Sequence, residues 1–122
     1  APAEKLRRLY REALAAADFK VVIIGTRPDA LPEPVLDLLS ELAREYELWI
    51  ELGVQSSHDR TLELIRRGHD FAATVKAANQ LAERGINTAC HVIAGLPGES
   101  AEDFFRTAER IAALISSWEK RR

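Results

Sequence analysis

The chain has 122 residues, 47% apolar and 30% charged, which suits one globular domain with its own core but is short for a complete barrel. Lys plus Arg number 17 against 19 Asp plus Glu, a net charge of −2 that argues against a broad basic surface for nucleic acid. The single cysteine, Cys90, excludes an intramolecular disulfide and a cysteine-rich zinc or iron–sulfur site built by this chain alone. No apolar run approaches the roughly 18 residues of a membrane span, and no charged-apolar-small leader opens the chain. With neither, the expectation is a cytoplasmic protein; methionine is absent throughout, so the chain is expected to be a processed product or an excised piece of a longer one.

Residues 3–17 place Leu6, Leu9, Tyr10, Ala13, Leu14 and Ala17 on one side, with Arg7, Arg8, Arg11 and Glu12 opposite, which predicts an amphipathic helix. Asp18 and Phe19 turn the chain into Lys20-Val21-Val22-Ile23-Ile24-Gly25, a β-branched run expected of a buried parallel strand. A loop from Thr26 to Pro34 follows, with Arg27 kept extended by Pro28. The next helix covers about 33–45 and buries Val35, Leu38, Leu39 and Leu42.

The second strand, Leu48 to Val54, shows Leu48, Ile50, Leu52 and Val54 on one face and Trp49, Glu51, Gly53 and Gln55 on the other. It runs into Gln55-Ser56-Ser57 at its carboxyl end, where parallel α/β folds bind ligands. Residues 58–67 predict a short helix. Asp70 caps a longer one over 71–84, with Phe71, Val75, Ala78, Leu81 and Ala82 inward and Gly85 as its stop. A third strand occupies 86–94, and Gly95-Leu96-Pro97-Gly98 turns into a helix capped by Ser100. That helix is expected to bury Phe104, Phe105, Ala108, Ile111, Ala112 and Leu114 or Ile115, with 116–122 as a polar, basic tail. The order α-β-α-β-α-β-α predicts an α/β fold of three parallel strands joined by right-handed crossovers.

One strand face collects Arg27, Glu51, Gln55 and His91, a ligand constellation if it lines a barrel mouth. The alternative is a buried polar network filling a barrel centre. His58 and Asp59 read as a helix start, His69 and Asp70 as a loop and cap, and Cys90 as a small core residue. Arg66 and Arg67 are either a solvated helix end or anion ligands. The Gly95 turn offers free N–H groups to an anion or a close backbone approach.

Glu51-Leu52-Gly53-Val54-Gln55-Ser56-Ser57 with Arg67-Gly68-His69 resembles the fourth-strand region of radical S-adenosylmethionine enzymes. Val92-Ile93-Ala94-Gly95-Leu96-Pro97-Gly98-Glu99 resembles their fifth-strand motif. Gly25-Thr26-Arg27-Pro28-Asp29 is similar to the third strand of the branch related to the Elongator catalytic subunit, and within it to the bacterial YhcC/YtqA-like group. The resemblance implies the central part of a partial (β/α) barrel, in which S-adenosylmethionine lies across the strand ends and is reductively cleaved at a [4Fe–4S] cluster to start radical chemistry. It implies that Gln55 bonds the ribose, that Arg67 pairs with the methionine carboxylate and that the backbone of Ile93, Ala94, Gly95 and Leu96 lies along the adenine. The candidate cofactor-binding residues are thus Arg27, Glu51, Gln55, Ser56, Arg67, His91, Ile93, Gly95 and Leu96, with no catalytic or metal-ligating residue assigned.

Two positions depart from relatives such as the oxygen-independent coproporphyrinogen oxidase, which carry Asp in place of His91 and an acidic residue in place of Gly25. The Cys-x3-Cys-x2-Cys loop that holds the cluster in the family has no counterpart in this chain, nor do the first two strands and the sixth. The expectation is therefore a fragment, inactive alone, with a residual cofactor pocket of millimolar strength at best, about −4 kcal/mol. By branch analogy tRNA is a candidate substrate of the whole enzyme. Other readings are a nucleotide- or tRNA-binding module and a pure scaffold. Two open sheet edges and a bare face also predict a homodimer, unless the last helix folds Trp118 over that face.

Overall fold

The computed structural model describes residues 2–119; the basic triplet Lys120-Arg121-Arg122 lies outside them. Three aliphatic runs form the strands β1 (Val21–Thr26), β2 (Glu47–Gln55) and β3 (Asn87–Val92). They pair in parallel in the order β1-β2-β3, with Ile23 opposite Trp49 and Leu52 opposite Cys90. Helix α1 (Ala3–Leu14) precedes β1, and a 3-10 turn (Pro28–Ala30) with α2 (Glu33–Glu45) leads to β2. Helices α3 (Asp59–Leu64) and α4 (Phe71–Glu83) connect β2 to β3, and α5 (Ala101–Glu119) follows. Parallel neighbours cannot be joined by a tight turn, so each crossover lays a helix back along the sheet.

Helices α1, α2, α4 and α5 pack on one side. Leu48, Ile50, Leu52 and Val54 of β2 point into them and are buried with Leu36, Leu38 and Leu42 of α2 and Ala77, Ala78 and Leu81 of α4. Each large apolar side chain so buried contributes about 1.5–3 kcal/mol. The other face of the sheet is uncovered among the described residues: Val21, Ile23, Trp49 and Ile93 are 50%, 59%, 39% and 45% exposed. Strand alternation had assigned these faces correctly, because one face buries every second residue.

Several helix details differ from the periodicity. α1 ends at Leu14, where Ala15 and Ala16 N–H groups close on Arg11 and Ala13 carbonyls, and Ala17 is exposed on the way to β1. α4 buries Thr74 and Ala77 along with Ala78 and Leu81, while Val75 and Ala82 are half-covered. The stripe is thus rotated towards the small residues Thr74, Ala77 and Ala78. In α5 the buried positions are Thr107 and Ile111, and Phe105 is 62% exposed. α5 also continues through 116–119, where a tail was expected, and Trp118 Nε1 donates to Asn79 Oδ1 of α4 at 3.0 Å. Trp118 thus reaches the helical layer and leaves the open sheet face uncovered.

Candidate functional site

At the carboxyl end of β2 the ladder slips. Gly53 pairs with His91, yet Gln55, two residues on, pairs with Val92, so β2 carries a bulge. Gln55 adopts φ +68°, and the Ser56 N–H returns to the Val54 carbonyl at 2.9 Å. A left-handed conformation at a residue other than glycine costs about 1–3 kcal/mol and persists only where its surroundings enforce it. Here they do. The Gln55 carbonyl accepts from the Ile93 N–H at 3.0 Å, and Ser56 Oγ donates to Glu99 at 2.5 Å while accepting from the His58 N–H at 3.0 Å. The Ser57 N–H donates to Thr107 Oγ1 at 3.1 Å, and Arg110 donates to the Ser57 carbonyl and hydroxyl at 3.1 and 3.0 Å.

Arg67 reaches the same place from α3. The Arg67 N–H bonds the Leu62 carbonyl and the Arg66 N–H bonds that of Glu63, with Arg66 left-handed at φ +54°. This paired closure ends α3 and sends the next side chain back towards the sheet. Arg67 Nη2 donates to the Gly53 carbonyl at 2.9 Å, and Nε donates to His69 Nε2 at 3.1 Å. His69 is buried, and its Nδ1 lies 3.2 Å from the Asp70 carbonyl, so the neutral Nδ1–H tautomer satisfies both contacts. Burial first, and then the charge of Arg27, lower the Arg67 pKa, opposed by Asp29.

Arg27 lies nearby but is turned aside, with Nε and Nη2 on the two carboxylate oxygens of Asp29 at 3.0 Å each. Burial, the largest single influence, pushes the Asp29 carboxyl up, but the Arg27 hydrogen bonds, a backbone hydrogen bond and the nearby positive charge together hold the group below its usual range. The four-residue constellation is therefore split. Glu51 and His91 meet on the open face, Oε2 to Nε2 at 3.6 Å, and Gln55 leans over Gly53. Ser56 is fully buried, with its hydroxyl engaged by Glu99 and His58. Ile93 and Gly95 are exposed beside the strand ends, Leu96 is half-covered, and Gly95 has φ +82°.

The minor candidates have local roles. His58 does not cap α3 with its side chain, and its Nε2 lies 2.9 Å from the Asp103 carbonyl. Asp59 instead caps the following helix, accepting from the Phe71 N–H at 2.9 Å, next to Asp70, which accepts from Ala73. Cys90 faces the helices, and burial pushes its thiol pKa up. The partners Asp29, His69 and Glu99 were not singled out from the sequence as contacts. The i, i+2 spacings Arg27–Asp29 and Arg67–His69 were the available signal for two of them.

The family model described as the Radical SAM superfamily matches residues 1–111. The chain belongs to that superfamily. It is 43% identical over 112 residues to protein YhcC of Escherichia coli, covering 91% of this chain and 36% of YhcC. Radical SAM structures share its fold. Coproporphyrinogen III oxidase (HemN) of E. coli, described as a radical SAM enzyme, superposes with TM-score 0.77 at 25% identity, over 93% of this chain and 26% of HemN. The archaeal Elp3 of Methanocaldococcus infernus superposes with TM-score 0.68 at 32% identity, over 75% of this chain and 21% of Elp3. The three strands and their helices thus share the fold of radical SAM barrel proteins. The chain spans about a third of the length of a relative such as YhcC.

Proposed function

We propose that this chain is the cofactor-cradling central part of a radical S-adenosylmethionine enzyme, and that alone it binds S-adenosylmethionine or S-adenosylhomocysteine weakly without turning it over. The observation that carries the reading is Arg67. Its half-buried guanidinium bonds only a carbonyl and a neutral imidazole and forms no ion pair among the described residues. A partly desolvated cation without a counter-ion suits a carboxylate ligand. Family membership supports the methionine carboxylate as that ligand, with the amide of Gln55 beside it for the ribose and the backbone of residues 93–96 for the adenine.

The residues fit the nucleoside cofactor but not a cluster. A thiolate-held [4Fe–4S] centre needs several cysteines, and the one present points into the helical layer with its thiol pKa raised. Reductive cleavage is accordingly a proposal for the whole protein, with tRNA as a candidate substrate and the cytoplasm as its location. Among the described residues no helix is long and apolar enough to cross a membrane. Titration of the chain with S-adenosylhomocysteine, followed by amide NMR, tests the pocket. Shifts at Gln55, Arg67 and Gly95 saturating at millimolar ligand are expected. Shifts confined to the far ends of the strands would overturn the reading.

A further inference from the structure

We propose that Gly53 and Gly68 are positioning residues for the ligand-holding arginine: each lacks a side chain so that a guanidinium can lie across its Cα, Arg67 over Gly53 and Arg27 over Gly68. The proposal rests on the reading of Arg67 as the carboxylate's partner. Neither glycine has a positive φ, so the backbone conformation does not call for glycine at either place. What excludes a side chain is space. A β-carbon at Gly53 would stand 2.6 Å from Arg67 Nη2, against 3.4 Å from the Thr26 carbonyl oxygen and 3.7 Å from Gln55 Nε2. Only the first distance is prohibitive, and it involves the far end of a long side chain. The strand would accept alanine, and the arginine would have to leave.

Gly68 repeats the arrangement, with an added β-carbon 2.5 Å from Arg27 Nη2 and 3.3 Å from Asp29 Oδ2. The bidentate bond to Asp29 holds Arg27 in its seat, and from there its charge bears on Arg67. Arg67 is thus fixed by two acceptors, Gly53 O and His69 Nε2, with a like charge discouraging retreat towards β1. Gln55 Nε2 lies on the same side of Gly53, so an amide and a guanidinium converge above one bare Cα. A ligand carrying a carboxylate and hydroxyl groups would bridge them.

The test is NMR of the 122-residue chain, reading the Arg67 side-chain Nε–H directly. It donates to His69 and is expected to exchange slowly with water, and to join the fast-exchanging pool in Gly53→Ala. S-adenosylhomocysteine binding should weaken about tenfold in the same variant, the loss of one charge-assisted contact. An unchanged Arg67 signal in folded Gly53→Ala overturns the proposal. If the unsubstituted chain does not bind the ligand but its Arg67 signal still responds to Gly53→Ala, the functional reading fails and the positioning stands. If Gly53→Ala does not fold, the substitution is made on Arg67→Ala. There it is expected to be harmless, since the obstructing atoms are gone; a stability loss that persists places the obstruction in the strand and overturns the proposal.

Discussion

Replacing Thr107 by valine isolates what holds the Gln55 turn. Thr107 is 1% exposed, and its Oγ1 accepts from the buried Ser57 N–H at 3.1 Å and lies 3.0 Å from the Ser57 hydroxyl. Valine matches the shape of threonine, so packing is nearly unchanged and the loss is polar. The Ser57 hydroxyl keeps Arg110 as a partner at 3.0 Å, but its backbone N–H is left unpaired in a site only 4% exposed. One orphaned buried donor costs about 1–3 kcal/mol, so about 2 kcal/mol is expected. That is a large share of the roughly 5–15 kcal/mol typical of a whole domain. With urea m-values near 1–3 kcal/mol/M, the midpoint should fall by about 1 M. Thr107→Ser, which keeps the acceptor, should recover most of it. A Thr107→Val midpoint within about 0.2 M of the parent chain would refute the view that this hydroxyl anchors the loop.

A second prediction concerns acid stability. Asp103 accepts from the Ser100 N–H and pairs with Arg60 at 2.9 Å, and these hold its pKa at about 2 rather than 3.8. A depressed carboxyl pKa stabilises the fold above the unfolded value and loses that effect as pH falls through the folded one. The melting temperature should therefore drop more steeply between those two pH values in the parent chain than in Asp103→Asn; parallel profiles would acquit this carboxylate. We also propose that the uncovered face of Val21, Ile23, Trp49 and Ile93, flanked by two open strand edges, drives self-association into a homodimer. Sedimentation velocity at micromolar concentration should show a concentration-dependent dimer, and a 13.6 kDa species at every concentration would count against it.

Strand faces, helix order and the ends of α2 and α4 were legible in the sequence because they depend on periods and on single residues. Alternation along Leu48 to Val54 separated core from open face, since only one face meets the helices. Asp70 and Gly85 marked the ends of α4 because each acts on backbone groups within a few residues; Gly85 N–H closes on Ala82 and Ile86 N–H on Leu81. The local motifs around Gln55, Arg67 and Gly95 likewise carried the family. Side-chain partnerships between elements distant in sequence were not legible. Ser57 with Thr107, Ser56 with Glu99 and Trp118 with Asn79 are separated by 50, 43 and 39 positions, and no periodicity encodes such pairs. The same holds for the glycine seats: from sequence Gly53 is a small residue in a strand, and only the return of the chain after α3 puts Arg67 above it. Backbone preferences act over one or two turns, whereas a guanidinium's resting place depends on which strand end the tertiary fold sets within its reach.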